Sequence, residues 1–293
     1  MIKVPERLAE SVLRDVDGAA EWIDGFPELA RGYLERWSCE PDGEVRAGGV
    51  AVVIPVRSPY GPAVIKISPP HPGNADEHRA LRLWNGSGAV RLHDCDASGF
   101  ALLLERVTDR TLDVDVDEAV AIGGELSARL AVPAPAGIKR LADTTEEWEQ
   151  QLHDDHRSAG VELPARVFDA AVETVRDLGR DRTATMLHGD LHEGNILHAE
   201  RGWVVIDPKG MSGTAAYDAL TVCVYRLPAS ELVAELRRRI MIFSEAAGVD
   251  PDLSRRCVQA RAVTGLLWDL DRGDVPRTRN YELRLLVSEG LLD

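Results

Sequence analysis

Lysine is scarce in this chain of 293 residues: arginine supplies nearly all the basic charge, and the only lysines are Lys3, Lys66, Lys139 and Lys209. Cysteine is scarce too. Cys39, Cys95, Cys223 and Cys257 lie far apart with no CxxC pair, which excludes a disulfide framework or a zinc cage and fits reduced, buried thiols. No apolar run approaches the eighteen or so residues that a membrane span needs. The start, MIKVPERLAESVLRDV, is interrupted by charge throughout and shows no export signal, so the expected compartment is the cytoplasm. Positive charge is in deficit: the formal net charge is −15, which excludes non-specific nucleic-acid binding and would favour a cationic ligand. A GxGxxG phosphate loop is absent.

Periodicity supplies the organisation. From Pro5 to Trp37 apolar residues recur at helical spacing (Leu8, Val12, Leu13 and Val16, then Trp22, Phe26, Leu29, Leu34 and Trp37), which predicts a helical lead-in. The period then changes. GEVRAGGVAVVIPVR and GPAVIKIS read as three short antiparallel strands turned at Gly48-Gly49 and at Pro59 to Pro62, followed by a helix from Glu77 to Trp84. GAVRLHDCDASGFALLLERV adds two strands joined at Asp96 to Gly99. After Val107 helices dominate, at Glu118 to Leu130, Thr145 to Ala159, Ala165 to Leu178 and between Ala215 and Leu291, with a hairpin in NILHAERGWVVIDP. The expected fold is α+β with two lobes: residues 1–105 form a small antiparallel-sheet lobe with the helical lead-in, and residues 106–293 form a mainly helical lobe.

The chemistry concentrates in MLHGDLHEGNIL, where Asp190 and Asn195 are five apart and lead into the hairpin that ends at Asp207. Phosphoryl transfer needs hard oxygen ligands for magnesium and a carboxylate beside the attacking hydroxyl, and this spacing supplies both. A carboxylate with a pKa near ~3.9 cannot deprotonate a resting alcohol. Asp190 must therefore orient the hydroxyl first and take its proton late, as the nucleophile gains acidity. The strand AVIK ends in Lys66, and Glu77 follows eleven residues later, the form of the strand-lysine and helix-glutamate pair of kinases. A lysine in an apolar strand is costly unless paired, which gives Glu77 a structural motive as well. The glycines of Arg46-Ala47-Gly48-Gly49 are the candidate phosphate-covering loop.

LHGDLHEGNIL, the hairpin WVVIDPKG and the AVIK strand together resemble the aminoglycoside phosphotransferase superfamily. VPERLAE, GAVRL, ALLLERV and IDPKG with Tyr217-Asp218 behind it are similar to its streptomycin and hydroxyurea phosphotransferase branch. The resemblance implies a protein-kinase-like fold and ATP-dependent phosphorylation of a small-molecule hydroxyl, streptomycin first, with antibiotic inactivation as the outcome. It implies Asp190 as catalytic base, Asn195 and Asp207 as Mg2+ ligands, Lys66 as the phosphate lysine, and Glu105-Arg106-Val107 as the hinge at the adenine. GTP stays open as an alternative nucleotide, and a monomer or weak homodimer is expected. The acceptor site falls in the helical lobe, with His192 lining it. Trp268, Asp269 and Asp271 are candidates for an aromatic and acidic wall that would take a guanidinium-bearing substrate. Core packing of Trp268 and surface charge on the two aspartates are the alternative.

His188-Gly189-Asp190 stands where protein kinases have HRD, and Asp207-Pro208-Lys209 where they have DFG. Only ten residues separate Asp207 from Tyr217, too few for a regulated activation segment, so a protein substrate is not expected. Other acceptors remain: a sugar, an amino sugar, a choline-like alcohol or hydroxyurea. GDLHEGN also bears a faint likeness to two-metal phosphoesterases, but the upstream DxH they need is missing. A catalytically inactive kinase-like binding module is the third reading, against which the intact Lys66, Asp190, Asn195 and Asp207 set counts.

Overall fold

The computed structural model describes residues 2–160, 163–228, 231–271 and 279–292. Two helices lead in, α1 (Glu6–Asp15) and α2 (Ala19–Arg36). Strands β1 (Glu40–Pro41), β2 (Arg46–Ala47), β3 (Val52–Ser58) and β4 (Gly61–Ile67) follow, then helix α3 (Glu77–Trp84) and strands β5 (Leu92–Asp96) and β6 (Ala101–Glu105). These strands form one antiparallel sheet in the order β1-β3-β4-β6-β5, with β2 also paired to β3. The two-residue β1 is one strand more than the spacing predicts. Pro41 lacks an N–H, which suits an edge and hides the strand from pattern reading.

Strand alternation sorts the side chains onto two faces. Val52, Ile54 and Val56 of β3, Ala63, Ile65 and Ile67 of β4, and Ala101 and Leu103 of β6 are buried in one core with Leu8 and Val12 of α1 and Phe26, Ala30 and Tyr33 of α2. The intervening residues Val53, Pro55, Pro62, Val64, Lys66 and Leu104 line a cleft on the opposite face. The lead-in helices thus cover one side of the sheet and leave the other for a ligand.

The chain continues through α4 (Val116–Leu130), β7 (Lys139–Arg140), α5 (Thr145–Ser158), α6 (Ala165–Arg180) and β8 (Met186–Leu187). The hairpin β9 (Ile196–Ala199) and β10 (Gly202–Val205) is followed by β11 (Met211–Ser212), α7 (Ala219–Cys223), α8 (Leu232–Ala247), α9 (Pro251–Asp271) and α10 (Arg279–Gly290). Two compact units result: Met1–Asp109 with Leu197–Gly210, and Arg110–Ile196 with Met211–Asp293. The hairpin joins the first unit because Val205 donates to the Gly88 carbonyl and accepts from the Val90 N–H, at 2.8 and 3.0 Å. In the second unit, Leu152 of α5, Val167, Ala171 and Val175 of α6, and Ala260, Val263 and Leu267 of α9 form a helical core. A small sheet, β7-β11-β8, sets the segment before Asp190 beside the one after Gly210.

Three of the cysteines are buried as expected, but Cys95 is only partly so and sits 3.1 Å from Arg82 Nη2. No described helix is long and apolar enough to cross a membrane.

Candidate active site

In the first unit, Lys66 leaves the cleft face of β4 and meets two acids. Its Nζ donates to both oxygens of Glu77 at 2.7 Å and to Asp207 Oδ1 at 2.6 Å. Burial works against the ammonium, yet the two carboxylates outweigh it and carry the Lys66 pKa above the ordinary lysine value. Burial also pushes the Glu77 carboxyl up, and direct contact with the Lys66 ammonium opposes that shift. Lys66 therefore joins α3 to the end of the β9–β10 hairpin, across 141 residues of sequence.

Asp207 itself has φ +59°, a left-handed conformation that aspartate tolerates better than most residues. Three residues on, Gly210 has φ +64°, and a Cβ there would lie 2.4 Å from the Asp76 carbonyl oxygen, just ahead of Glu77. This glycine lets the Asp207 loop lie against the start of α3. Gly210→Ala is expected to cost about 2–4 kcal/mol, the left-handed penalty plus overpacking against backbone. Urea denaturation checks it, and a stability equal to that of the parent would show that the loop can move away without loss.

The cleft has a volume of about 930 Å3. Apolar side chains of Val53, Val64, Val90, Leu104, Leu197 and Ile206 line it, together with Lys66, Asp207, Glu105, Val107 and Gly48. Of the proposed glycine pair, Gly48 lines the cleft and its N–H donates to the Ala51 carbonyl at 2.7 Å, closing the turn into β3. Gly49 is not among the lining residues. The Glu105 carboxylate is held by Arg201 and by the Arg91 N–H, the latter at 2.9 Å; burial alone would raise its pKa, but these donors hold it below the usual range. Arg201 also donates to the Gly86 and Ala89 carbonyls, at 3.0 and 2.8 Å, and so ties the hairpin turn to the 86–91 segment. Arg201 had no signal in the sequence beyond its place in a turn.

In the second unit, the loop around Asp190 is wired through its backbone. The Asp190 N–H donates to His188 Nδ1 at 3.2 Å, and its carbonyl accepts from Asn195 Nδ2 at 2.9 Å. With its amide nitrogen committed, Asn195 has its side-chain oxygen to offer a metal. His192 Nδ1 accepts from the Gly194 N–H at 3.1 Å, capping the short 3-10 turn Glu193–Asn195. Beneath the loop lies Asp218, fully buried, whose two oxygens accept the His188 and Gly189 N–H groups at 2.9 Å each. The sequence singled out Asp218 only as part of the resemblance, without a role.

Burial pushes the Asp218 carboxyl up to about 6, with Arg261 and the two N–H donors pulling it back. A buried acid of this kind loses stability as pH rises from its ordinary value toward 6, because the unfolded chain ionises first. The loop clamp, however, needs the ionised form to accept both N–H groups. Activity is therefore expected to fall as pH drops through about 6 while stability rises. Asp218→Asn should lower kcat by ~10–10²-fold and remove that limb of the pH profile, since an amide can accept only one of the two bonds. A limb near pH 6 that survives in the variant would assign it elsewhere.

The acceptor-wall residues fare differently. Trp268 is 51% exposed, so it is not core packing. Asp269 is mostly buried and pairs with Arg284 Nε at 2.8 Å, so it is not a bare surface charge. The Asp271 side chain lies outside the described residues.

A family model described as aminoglycoside/hydroxyurea antibiotic resistance kinase matches residues 36–273. The chain belongs to this family. Among relatives of this kinase, streptomycin 6-kinase of Streptomyces glaucescens is 32% identical over 285 residues, covering 93% of this chain and 92% of the relative. Hydroxyurea phosphotransferase of Kitasatospora aureofaciens is also 32% identical, covering 100% and 86%. Among solved structures, a thermostable mutant of an aminoglycoside phosphotransferase in ternary complex with ADP and hygromycin B superposes with a TM-score of 0.55 at 14% identity, covering 89% of this chain and 97% of that one. That likeness bears on the fold, which is the kinase-like α+β architecture expected from the sequence. The enzyme class is settled by membership: the kinase is a phosphotransferase acting on a small molecule.

Proposed function

We propose that the kinase transfers the γ-phosphoryl group of MgATP to a hydroxyl of an aminoglycoside, with streptomycin as the leading acceptor. The observation that carries the nucleotide half is the buried Lys66 ammonium, held by Glu77 and Asp207 on the cleft face of the sheet. The acceptor half rests on relatives named streptomycin 6-kinase that match along most of the chain. Hydroxyurea, the substrate in the name of an equally identical relative, is the alternative acceptor.

In this reading the acceptor oxygen forms a bond to the γ-phosphorus as the bond from that phosphorus to the β,γ-bridging oxygen breaks, and ADP departs. Asp190 orients the acceptor hydroxyl and takes its proton late in a loose transition state. His188, Asn195 and Asp218 hold the loop that presents it. Lys66 contacts the α- and β-phosphates, aimed by Glu77. Glu105 to Val107 supply the hinge beside the adenine, and the apolar lining of the cleft takes the base.

Asn195 and Asp207 would hold magnesium, and the fit is chemical: both offer hard oxygens. Among the described residues no three His, Cys, Asp or Glu side chains gather into a metal cage. Magnesium suits such a site because it takes one or two protein oxygens and fills its shell from phosphates and water. When bound it neutralises charge on the phosphates. His192, Trp268 and Asp269 remain the candidates on the acceptor side, and the net charge of −15 favours a cationic substrate.

A coupled assay for ADP release in the presence of magnesium, run against streptomycin, other aminoglycosides, hydroxyurea, amino sugars and choline, tests the proposal. Streptomycin is expected to stimulate turnover most. Stimulation by hydroxyurea alone would replace the acceptor, and silence across the panel would remove the aminoglycoside reading.

A further inference from the structure

We infer that Arg46 is a second cation for the nucleotide's phosphates, parked on Asp109 until the nucleotide arrives. The inference rests on the reading that the cleft takes MgATP, and it begins from strand register. Arg46 of β2 lies opposite Val53 of β3, and Val53 lies opposite Lys66 of β4. Residues directly opposite one another in antiparallel strands share a face, and all three line the cleft. With strands spaced roughly 4.8 Å apart, the Arg46 and Lys66 backbones stand about 10 Å from each other across Val53. Two long cationic side chains thus flank one stretch of cleft floor.

Charge explains why a second cation is needed. The residues lining the cleft include seven carboxylates against five cations, yet the ligand is a polyanion. Most of the cations are committed. Lys66 is shared by Glu77 and Asp207, Arg106 donates to both the side chain and the carbonyl of Asp42, and Arg201 is spent on Glu105 and two carbonyls. Arg91 sits beside the hinge, outside the row of Lys66. Arg46 differs. Its partner is Asp109, and both side chains are more than half exposed, so the pair costs little to break. A guanidinium that exchanges a solvated carboxylate for a phosphate gains a bidentate, charge-assisted contact.

The exchange predicts opposite signs for the two partners. Binding of a non-hydrolysable ATP analogue with magnesium, of ADP and of adenosine is measured by calorimetry on the full chain, on Arg46→Met, Arg46→Lys and Asp109→Asn, and on the Arg46→Met/Asp109→Asn double variant. Arg46→Met should weaken the ATP analogue ~10-fold and leave adenosine unchanged, with Arg46→Lys recovering part of the loss. Asp109→Asn should strengthen the ATP analogue several-fold, an effect that vanishes in the double variant. Equal loss for adenosine and the ATP analogue, or weaker binding in Asp109→Asn, would overturn the exchange and make the pair a structural strap. If the parent protein binds none of the three ligands, the nucleotide reading of the cleft fails, and this inference fails with it.

Discussion

Asp190→Asn is expected to lower kcat by ~10²–10⁴-fold while MgATP binding stays within about threefold of the parent. The wiring of the loop is what makes this test sharp. The Asp190 N–H and carbonyl are held by His188 and Asn195, and the two preceding N–H groups by buried Asp218. None of these four bonds uses the Asp190 side chain, so the substitution leaves them in place. An amide of the same shape can orient a hydroxyl but cannot accept its proton. Steady-state kinetics with the best acceptor, together with calorimetric binding of a non-hydrolysable ATP analogue, separates chemistry from binding. A kcat near that of the parent would show that Asp190 is not the base.

Lys66→Met should destabilise the fold by about 3–5 kcal/mol at neutral pH, the cost of leaving a buried carboxylate without its counter-ion. Methionine fills the space of the lysine stem, so packing changes little and the loss is mainly electrostatic. The pH dependence distinguishes this from a cavity effect. Glu77 is 3% exposed, and burial already drives its carboxyl upward; removing the ammonium takes away the largest influence that opposes that drive. Its folded pKa then stands above the unfolded value, so stability is retained at acid pH and lost as pH rises past the ordinary carboxylate range. Urea denaturation at pH 5 and pH 8 should show the larger loss at pH 8. Equal losses at both would mean that Glu77 finds another partner.

Much of the framework was legible because it follows from local periods. The β-branched runs of β3 and β4, bounded by Gly48-Gly49 and by Pro59 to Pro62, mark the strands, whereas which of their faces meets the lead-in helices was decided by packing. Lys66 was conspicuous for a related reason: a rare ammonium at the end of an apolar strand requires a partner. Glu77 opens α3 at the position the spacing indicated. Three helical stretches after Val107 were placed to within a turn at their ends, Val116–Leu130, Thr145–Ser158 and Ala165–Arg180, whereas the helices between Ala215 and Leu291 had no separate bounds.

What the sequence determined by itself, then, is the main helices and strands, the buried lysine that needs a partner, and a set of residue types suited to phosphoryl transfer. Only the tertiary structure decided how those residues are held. That His188 accepts from Asp190, that Asp218 sits under the loop, that Gly210 must be a glycine because the Asp76 carbonyl is 2.4 Å from its absent Cβ, and that Arg46 stands in register with Lys66 all depend on contacts between distant segments. Periodicity reports on neighbours within a turn or a pleat. It carries no record of which segment packs on which, because that choice is made by burial and hydrogen bonding summed over the whole chain.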